Sequence, residues 1–376
     1  MRITEQLALG GSFTFEESKL LPVHSWFYYK EGYSPEFVRW ALNLNKPKKV
    51  LDTFCGVGTT LLEAKQQGLQ AAGVDASELA VLASKVKTQN YEESELQQAA
   101  EFIRNIPEAK QLPRWDFELF DVRAAFPKRN IGDLLSIRAA IETVENEKMH
   151  DFLLLGLLSV LPQASVIIKD GGVLKIDRRK RAAPARDIFR RKIKRMIAEA
   201  PQQGPTVDVQ LGDARQLPYE DESFDCIITS PPYLNNIDYS KIYGLELSLL
   251  YLDKTEGQKT RERLLHSFIK KKPTAVDYPE EVQEQAARIP VIGEFFADME
   301  KAVLEMKRVL KPGGTAHIVI SNSVIFNEQV ISDEIIAAMA ERYGMEAEIA
   351  IGAYRIADVR PQRVQTRESD VILKKK

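Results

Sequence analysis

Two apolar patterns alternate along most of this chain. Short runs of four to six residues, rich in β-branched side chains and ended by Gly, Asp or Pro, trade places with longer segments whose apolar positions recur at helical spacing. The runs Lys49–Phe54, Ala71–Val74, Val207–Leu211, Asp225–Thr229 and His317–Ser321 predict buried strands. Leu61–Gly68, Ala80–Tyr91, Phe295–Leu310 and Asp333–Tyr343 predict helices beside them. A further helix opens at Ser34-Pro35-Glu36, where Ser34 can cap and Pro35 suits the first helical position, followed by the stripe Phe37, Val38, Trp40, Ala41 and Leu44. Near the end, Ala347–Ala353 and Asp370–Leu373 predict an antiparallel hairpin that closes the sheet. Strands alternating with helices make this an α/β chain.

The alternation stops after Tyr91 and resumes at Val207. Residues 92–205 carry mostly helical patterns, among them Leu134–Val144 and Asp151–Leu161, after an apolar region at Phe120, Val122 and Phe126. This predicts three parts: 1–91, an inserted and largely helical 92–205, and 206–376 with a charged helical excursion near 245–292. Within that excursion Lys254–Ile289 reads as mobile.

Composition changes the picture in three places. With 44% apolar and 28% charged residues over 376 positions, the chain is that of an ordinary globular protein. Met1–Phe15 lacks a basic head followed by an apolar run, and the longest apolar run, Phe152–Leu161, is too short to span a bilayer, so a cytoplasmic protein without membrane contact is expected. Cys55 and Cys226 have neither metal nor redox spacing, which predicts no disulfide and no bound metal. A net charge of −2 and a pI near 6.2 argue against an indiscriminate polyanion binder. Charge is nevertheless concentrated: Lys169 to Arg195 holds twelve Lys or Arg against three Asp, around the turn Asp170-Gly171-Gly172 and the run Val173–Ile176.

The candidate chemistry sits at strand ends. Phe224–Thr229 empties into Ser230-Pro231-Pro232-Tyr233, where two prolines fix φ and remove two backbone donors, keeping the carbonyls of Ser230 and Pro231 as acceptors beside the aromatic face of Tyr233. Such a loop suits a planar base bearing an exocyclic amino group. Lys49–Phe54 leads into a glycine turn, Gly56-Val57-Gly58, and a helix N-terminus, an arrangement that lets backbone approach a ligand. No Gly-Lys-Ser/Thr follows, which disfavours a P-loop. Asp75 at the tip of the next strand can accept both hydroxyls of a ribose, as in nucleotide-binding α/β folds, and Asp213-Ala214 ends another strand.

Taken in order, Asp52-x-Phe54-x-Gly56-x-Gly58-Thr59-Thr60, Asp75, Asp213 and Ser230-Pro231-Pro232-Tyr233 resemble motifs I to IV of the amino-methylating DNA methyltransferases. Thr53 departs from the Pro common there. The resemblance covers roughly residues 24–90 and 205–376. It implies a Rossmann-like class I fold with a mixed seven-stranded sheet, S-adenosylmethionine as cofactor and double-stranded DNA as partner; whether a cognate restriction endonuclease accompanies it stays open. It implies cofactor contacts from Tyr33, Ser34, Asp52, Phe54, Gly56, Gly58, Thr59, Thr60, Asp75, Asp213 and Ala214. The segment before the glycine loop, with His24 and its aromatic residues, would meet the methionine end.

Methyl transfer is then assigned to Ser230, Pro231, Pro232 and Tyr233 by direct displacement onto a flipped base. The Ser form of the motif favours N4 of cytosine over N6 of adenine. Neither cysteine follows a proline, so the covalent carbon-5 route is not expected. In the insertion, Lys175, Arg178, Arg179, Arg181, Arg190 and Arg191 become DNA-contact candidates. An RNA amino methyltransferase and a catalytically idle DNA-binding regulator are the alternative readings.

Overall fold

The computed structural model describes residues 1–29, 32–106, 111–116, 121–170, 173–200, 203–235, 238–252, 265, 276–359 and 362–376. In chain order the strands are β1 (Arg2–Glu5), β2 (Lys49–Asp52), β3 (Gln70–Asp75), β4 (Ile167–Asp170), β5 (Val173–Ile176), β6 (Val207–Leu211), β7 (Phe224–Thr229), β8 (Leu310–Ser321), β9 (Ser323–Ile325), β10 (Glu328–Val330), β11 (Glu346–Val359) and β12 (Gln362–Lys374). One sheet of eight carries the order β1-β11-β12-β8-β7-β2-β3-β6. The expected count of seven is corrected by β1, which pairs parallel to β11 from Arg2↔Glu348 to Glu5↔Ile351. Its sequence, Arg-Ile-Thr-Glu, buries no side chain fully, so no apolar pattern announces it.

Neighbouring pairs from β6 to β8 are all parallel, whereas β12 runs antiparallel to both β8 and β11. The chain goes from β2 outward through β3 to β6, then returns to place β7 on the other side of β2. That reversal is a topological switch point, where the carboxyl ends of adjacent strands open a crevice. The buried runs Val50-Leu51 and Cys226-Ile227, paired across it, hold the two strand ends together.

The predicted helices are present with shifted ends: α1 (Pro35–Asn45), α2 (Thr59–Gln66) and α3 (Glu78–Thr88) in the first part. The long helix Pro290–Val309 passes straight into β8, so Lys311-Pro312-Gly313-Gly314 is not a free turn. It bulges between the pairs Phe224↔Leu310 and Cys226↔Thr315. The closing hairpin is longer than expected, since β11 and β12 pair out to Val359↔Gln362.

Residues 92–205 fold as α4 (Glu93–Arg104), α5 (Val122–Ala125), α6 (Lys128–Ile141), α7 (Glu147–Ala164), the hairpin β4–β5 and α8 (Ala185–Glu199). Their apolar faces merge into one core with Leu79, Leu82 and Val86 of α3. Trp26 and the helices α9 (Tyr239–Ile242) and α10 (Gly244–Tyr251) join the same core. Residues 92–205 are thus seated on the α/β part of the chain through α3 rather than standing apart from it. Phe120, the turn glycines Gly171 and Gly172, and most of Lys254–Ile289 lie outside the described residues.

Candidate active site

At the carboxyl ends of β2, β3, β6 and β7 lies a cavity of about 400 Å³. Its floor comes from Phe54 and Gly56 after β2, Asp75 at the end of β3, and Asp213 and Ala214 after β6; Ser230 to Tyr233 form the side after β7. Glycine is required at 56 and 58, where φ is +49° and +79°. A Cβ at Gly58 would lie 2.9 Å from the Ser84 hydroxyl, which itself donates to the Gly56 carbonyl at 2.7 Å. Ser84 of α3 therefore clamps the glycine turn, a role no sequence motif marks.

Asp75 accepts from the Gly56 and Ser77 amides, both at 2.9 Å, so the acid at the tip of β3 is fixed against the turn. Burial pushes its carboxyl up. Asp213 is held differently. Arg215 spans its carboxylate with contacts of 2.7 to 3.0 Å and continues to Asp298 at 2.9 Å. The carboxylate is thus taken, leaving the backbone at Asp213-Ala214 as the part able to meet a ligand.

On the β7 side, the Ser230 hydroxyl donates to the Val319 carbonyl at 3.0 Å, which leaves its oxygen as an acceptor. Among the described residues no turn or loop amide donates to the carbonyl of Ser230 or Pro231. Tyr233 gives its hydroxyl proton to Glu368 at 3.0 Å, and Glu368 in turn receives Arg355 at 2.6 and 2.8 Å. Both partners line the cavity. Opposite them, Tyr29 and Tyr243 stack at 4.4 Å with 6° between planes, and Lys169 of β4 sits 4.1 Å from the Tyr243 ring. Phe13 and Phe15 of the N-terminal segment complete an aromatic wall.

No family model matches the chain. Among curated proteins it is 28% identical to the type II methyltransferase M.BsoBI of Geobacillus stearothermophilus over 69% of this chain and 58% of that protein. It is 25% identical to the type II methyltransferase M.AvaI of a Nostoc species over 93% of this chain and 84% of that protein. The type II methyltransferase M.MvaI of Kocuria varians is 22% identical over 86% and 82%. All three proteins that the chain resembles here are type II methyltransferases. It spans 58% of the length of M.BsoBI and most of the other two. Solved structures such as TehB from Haemophilus influenzae align at 11% identity and a TM-score of 0.33, over 91% of this chain and 62% of that one, and carry no weight.

The remaining motif residues lie behind the cavity wall. Asp52, 2% exposed, accepts from the Thr229 hydroxyl at 2.7 Å and from Tyr33 at 3.1 Å, and burial pushes its carboxyl up to about 6. Tyr33 and Thr60 lie 2.5 Å apart, and their hydroxyl oxygens approach the Ile228 carbonyl at 3.1 and 3.2 Å, tying the glycine turn to β7. Tyr33, Asp52 and Thr59 reach only a recess of about 40 Å³ beside the main cavity. Ser34 is fully buried with its hydroxyl unpartnered. Ser34, Gly58 and Thr60 line neither space. His24 lines the recess but is engaged with Glu63 at 3.0 Å, and its burial lowers its pKa.

The basic stretch divides. Arg190 donates to the Ile103 carbonyl at 2.9 Å, Lys192 to Ser25, and Arg186 meets Asp133 at 3.3 Å, so these stitch α8 to its neighbours. Lys175, Arg178, Arg179, Arg181 and Arg191 are exposed. Lys175 pairs with Asp170 at 2.6 Å and Arg179 with Asp177 at 3.4 Å. Arg191 lines a separate cleft with Lys192 and Arg195. Near the C-terminus, Arg355 faces the cavity and Arg367 is paired with Asp333 at 2.7 Å. Among the described residues no group of three or more metal-ligating side chains is gathered, and no helix is long and apolar enough to cross a membrane.

Proposed function

We propose that this chain transfers a methyl group from S-adenosylmethionine to the exocyclic amino group of a base flipped out of duplex DNA, with N4 of cytosine favoured. The observation that carries the reading is the meeting, in one cavity at the switch point, of the Ser-Pro-Pro-Tyr loop with the glycine turn and the Asp75 strand tip. The residues fit the cofactor: Asp75 can accept from ribose hydroxyls, the Asp213-Ala214 backbone can meet a purine edge, and the Gly56 turn admits close approach. When bound, S-adenosylmethionine supplies an electrophilic methyl group.

An exocyclic amino nitrogen is a weak nucleophile because its lone pair is delocalised into the ring. The Ser230 hydroxyl oxygen and the Ser230 or Pro231 carbonyl accept its two N–H donors and favour pyramidalisation. The hydroxyl proton is spent on Val319, so Ser230 meets the amino group as an acceptor rather than a competing donor. Tyr233 stacks on the base, and the two prolines keep the acceptors in place during the displacement.

The hairpin β4–β5 supports duplex DNA as substrate. Lys169 faces inward onto Tyr243, so strand alternation turns Ile168, Val173 and Lys175 outward at the cavity rim. A two-stranded ribbon of this kind fits the major groove, with Arg178, Arg179 and Arg181 beside it for phosphates. The test is transfer of labelled methyl from S-adenosylmethionine to duplex DNA, with mass spectrometry of the digested nucleosides. N4-methylcytosine supports the full reading. N6-methyladenine keeps the chemistry and removes the base choice, label in RNA alone moves the substrate class, and failure to bind S-adenosylmethionine overturns the proposal.

A further inference from the structure

Tyr233 raises a question that stacking does not answer: a phenylalanine would present the same ring, yet the hydroxyl is kept and buried against a carboxylate. Glu368 arrives from β12, 135 residues further along the chain. Its side chain is 8% exposed, and both oxygens are used, Oε1 by Tyr233 and Oε2 by the Arg355 guanidinium. A buried carboxylate of this kind is tolerated only while both partners remain. The backbone is shaped for it. β11 bulges between Ile351 and Ala353, which sets Ala353 opposite Glu368 and brings Arg355 into diagonal reach across the hairpin. At the bulge, Gly352 leaves room for the Phe13 ring, which an added Cβ would approach to 2.0 Å.

We infer that Glu368, braced by Arg355, is a positioning residue that locks the ring of Tyr233 in one orientation for stacking on the target base. This rests on the methyl-transfer reading for its purpose, though not for its geometry. The ring is held at both ends, by Pro232 at the backbone and by Glu368 at the hydroxyl. Arg355 holds the carboxylate directed at Tyr233 rather than at the ligand.

The experiment uses the full chain with Tyr233→Phe, Glu368→Ala, Glu368→Gln and the double variant Tyr233→Phe/Glu368→Ala. Single-turnover methylation is measured on unmethylated, PCR-amplified duplex DNA. Tyr233→Phe and Glu368→Ala should each lower the rate about tenfold to a hundredfold, as a misplaced reacting group does. The DNA half-saturation and S-adenosylmethionine affinity should change by less than about twofold, the mark of an interaction felt in the transition state. Glu368→Gln, which retains an acceptor for the phenol, should recover much of the loss, and the double variant should be no slower than the worse single one. Rates near wild type, or losses that multiply in the double variant, overturn the inference. In parallel, ¹⁹F spectra of 3-fluorotyrosine-labelled protein, assigned with Tyr233→Phe, should show a fixed Tyr233 ring that begins to flip in Glu368→Ala. An unchanged spectrum overturns the inference even if the wild type methylates nothing, so the two failures are distinguishable.

Discussion

Replacing Asp52 by Asn should remove a pH dependence of stability that the wild type carries. Asp52 lies under the glycine turn with 2% exposure, and burial raises its carboxyl from 3.8 to about 6 despite the Thr229, Phe54, Thr60 and Tyr33 hydrogen bonds that oppose the rise. A carboxyl that holds its proton more tightly when folded makes the folded state less stable as pH rises. The unfolded chain ionises near 3.8, the folded one only near 6, and the full penalty stands above that. A carboxyl displaced that far carries a penalty of about 3 kcal/mol once both states are ionised. The Asn side chain keeps an acceptor for Thr229 and Phe54 and removes the titration, at a constant cost for turning an amide toward Tyr33. Urea unfolding followed by tryptophan fluorescence, at pH values from about 4 to 8, should therefore show the variant gaining about 2 kcal/mol on the wild type between the two ends, since part of the penalty is already present at about pH 4. Most of the change should fall between about pH 4 and 6.5. Parallel stability curves would show that Asp52 titrates alike in the folded and unfolded chain, and would refute the claim that burial beneath the turn governs its proton.

Ser230→Ala removes the oriented acceptor and its anchor on Val319, and should slow single-turnover methyl transfer about a hundredfold while calorimetric affinity for S-adenosylmethionine holds. Gly58→Ala combines φ of +79° with the 2.9 Å approach to Ser84, and should cost more than about 1 kcal/mol in denaturant unfolding and loosen cofactor binding. The basic stretch should separate by assay: Arg178→Ala with Arg179→Ala should flatten the salt dependence of DNA affinity by about two in slope at unchanged melting temperature. Arg190→Ala, which strips the Ile103 carbonyl of its donor, should instead lower the melting temperature and leave that slope alone.

By itself the sequence determined the local parts. The runs at β2, β3 and β7 are buried by their composition, whereas the run at β6, expected to be buried, forms the sheet edge and buries only Val209; the residues that end these strands, Gly56, Asp75, Asp213 and Ser230-Pro231-Pro232-Tyr233, carry turn chemistry written within a few positions. The lack of a Gly-Lys-Ser/Thr after the glycine turn already disfavoured a P-loop. Tertiary structure decided which of those residues face the cavity. Thr60 shares a motif with Gly56, and Tyr33 precedes it as an expected cofactor contact, yet both point into the joint between α2 and β7, and the Asp213 carboxylate is claimed by Arg215. It also supplied partners that no motif marks: Ser84 behind the glycine turn, Tyr243 against Tyr29, and Glu368 with Arg355 behind Tyr233. β1 needed the exposed edge of β11 before four polar-alternating residues had anything to pair with. Turn chemistry is fixed by φ and by neighbours one to four residues away, so a linear sequence displays it. Partners brought together from beyond the local turn, some of them more than a hundred positions apart, are chosen by how the sheet and helices pack, and they appear only once the chain has folded.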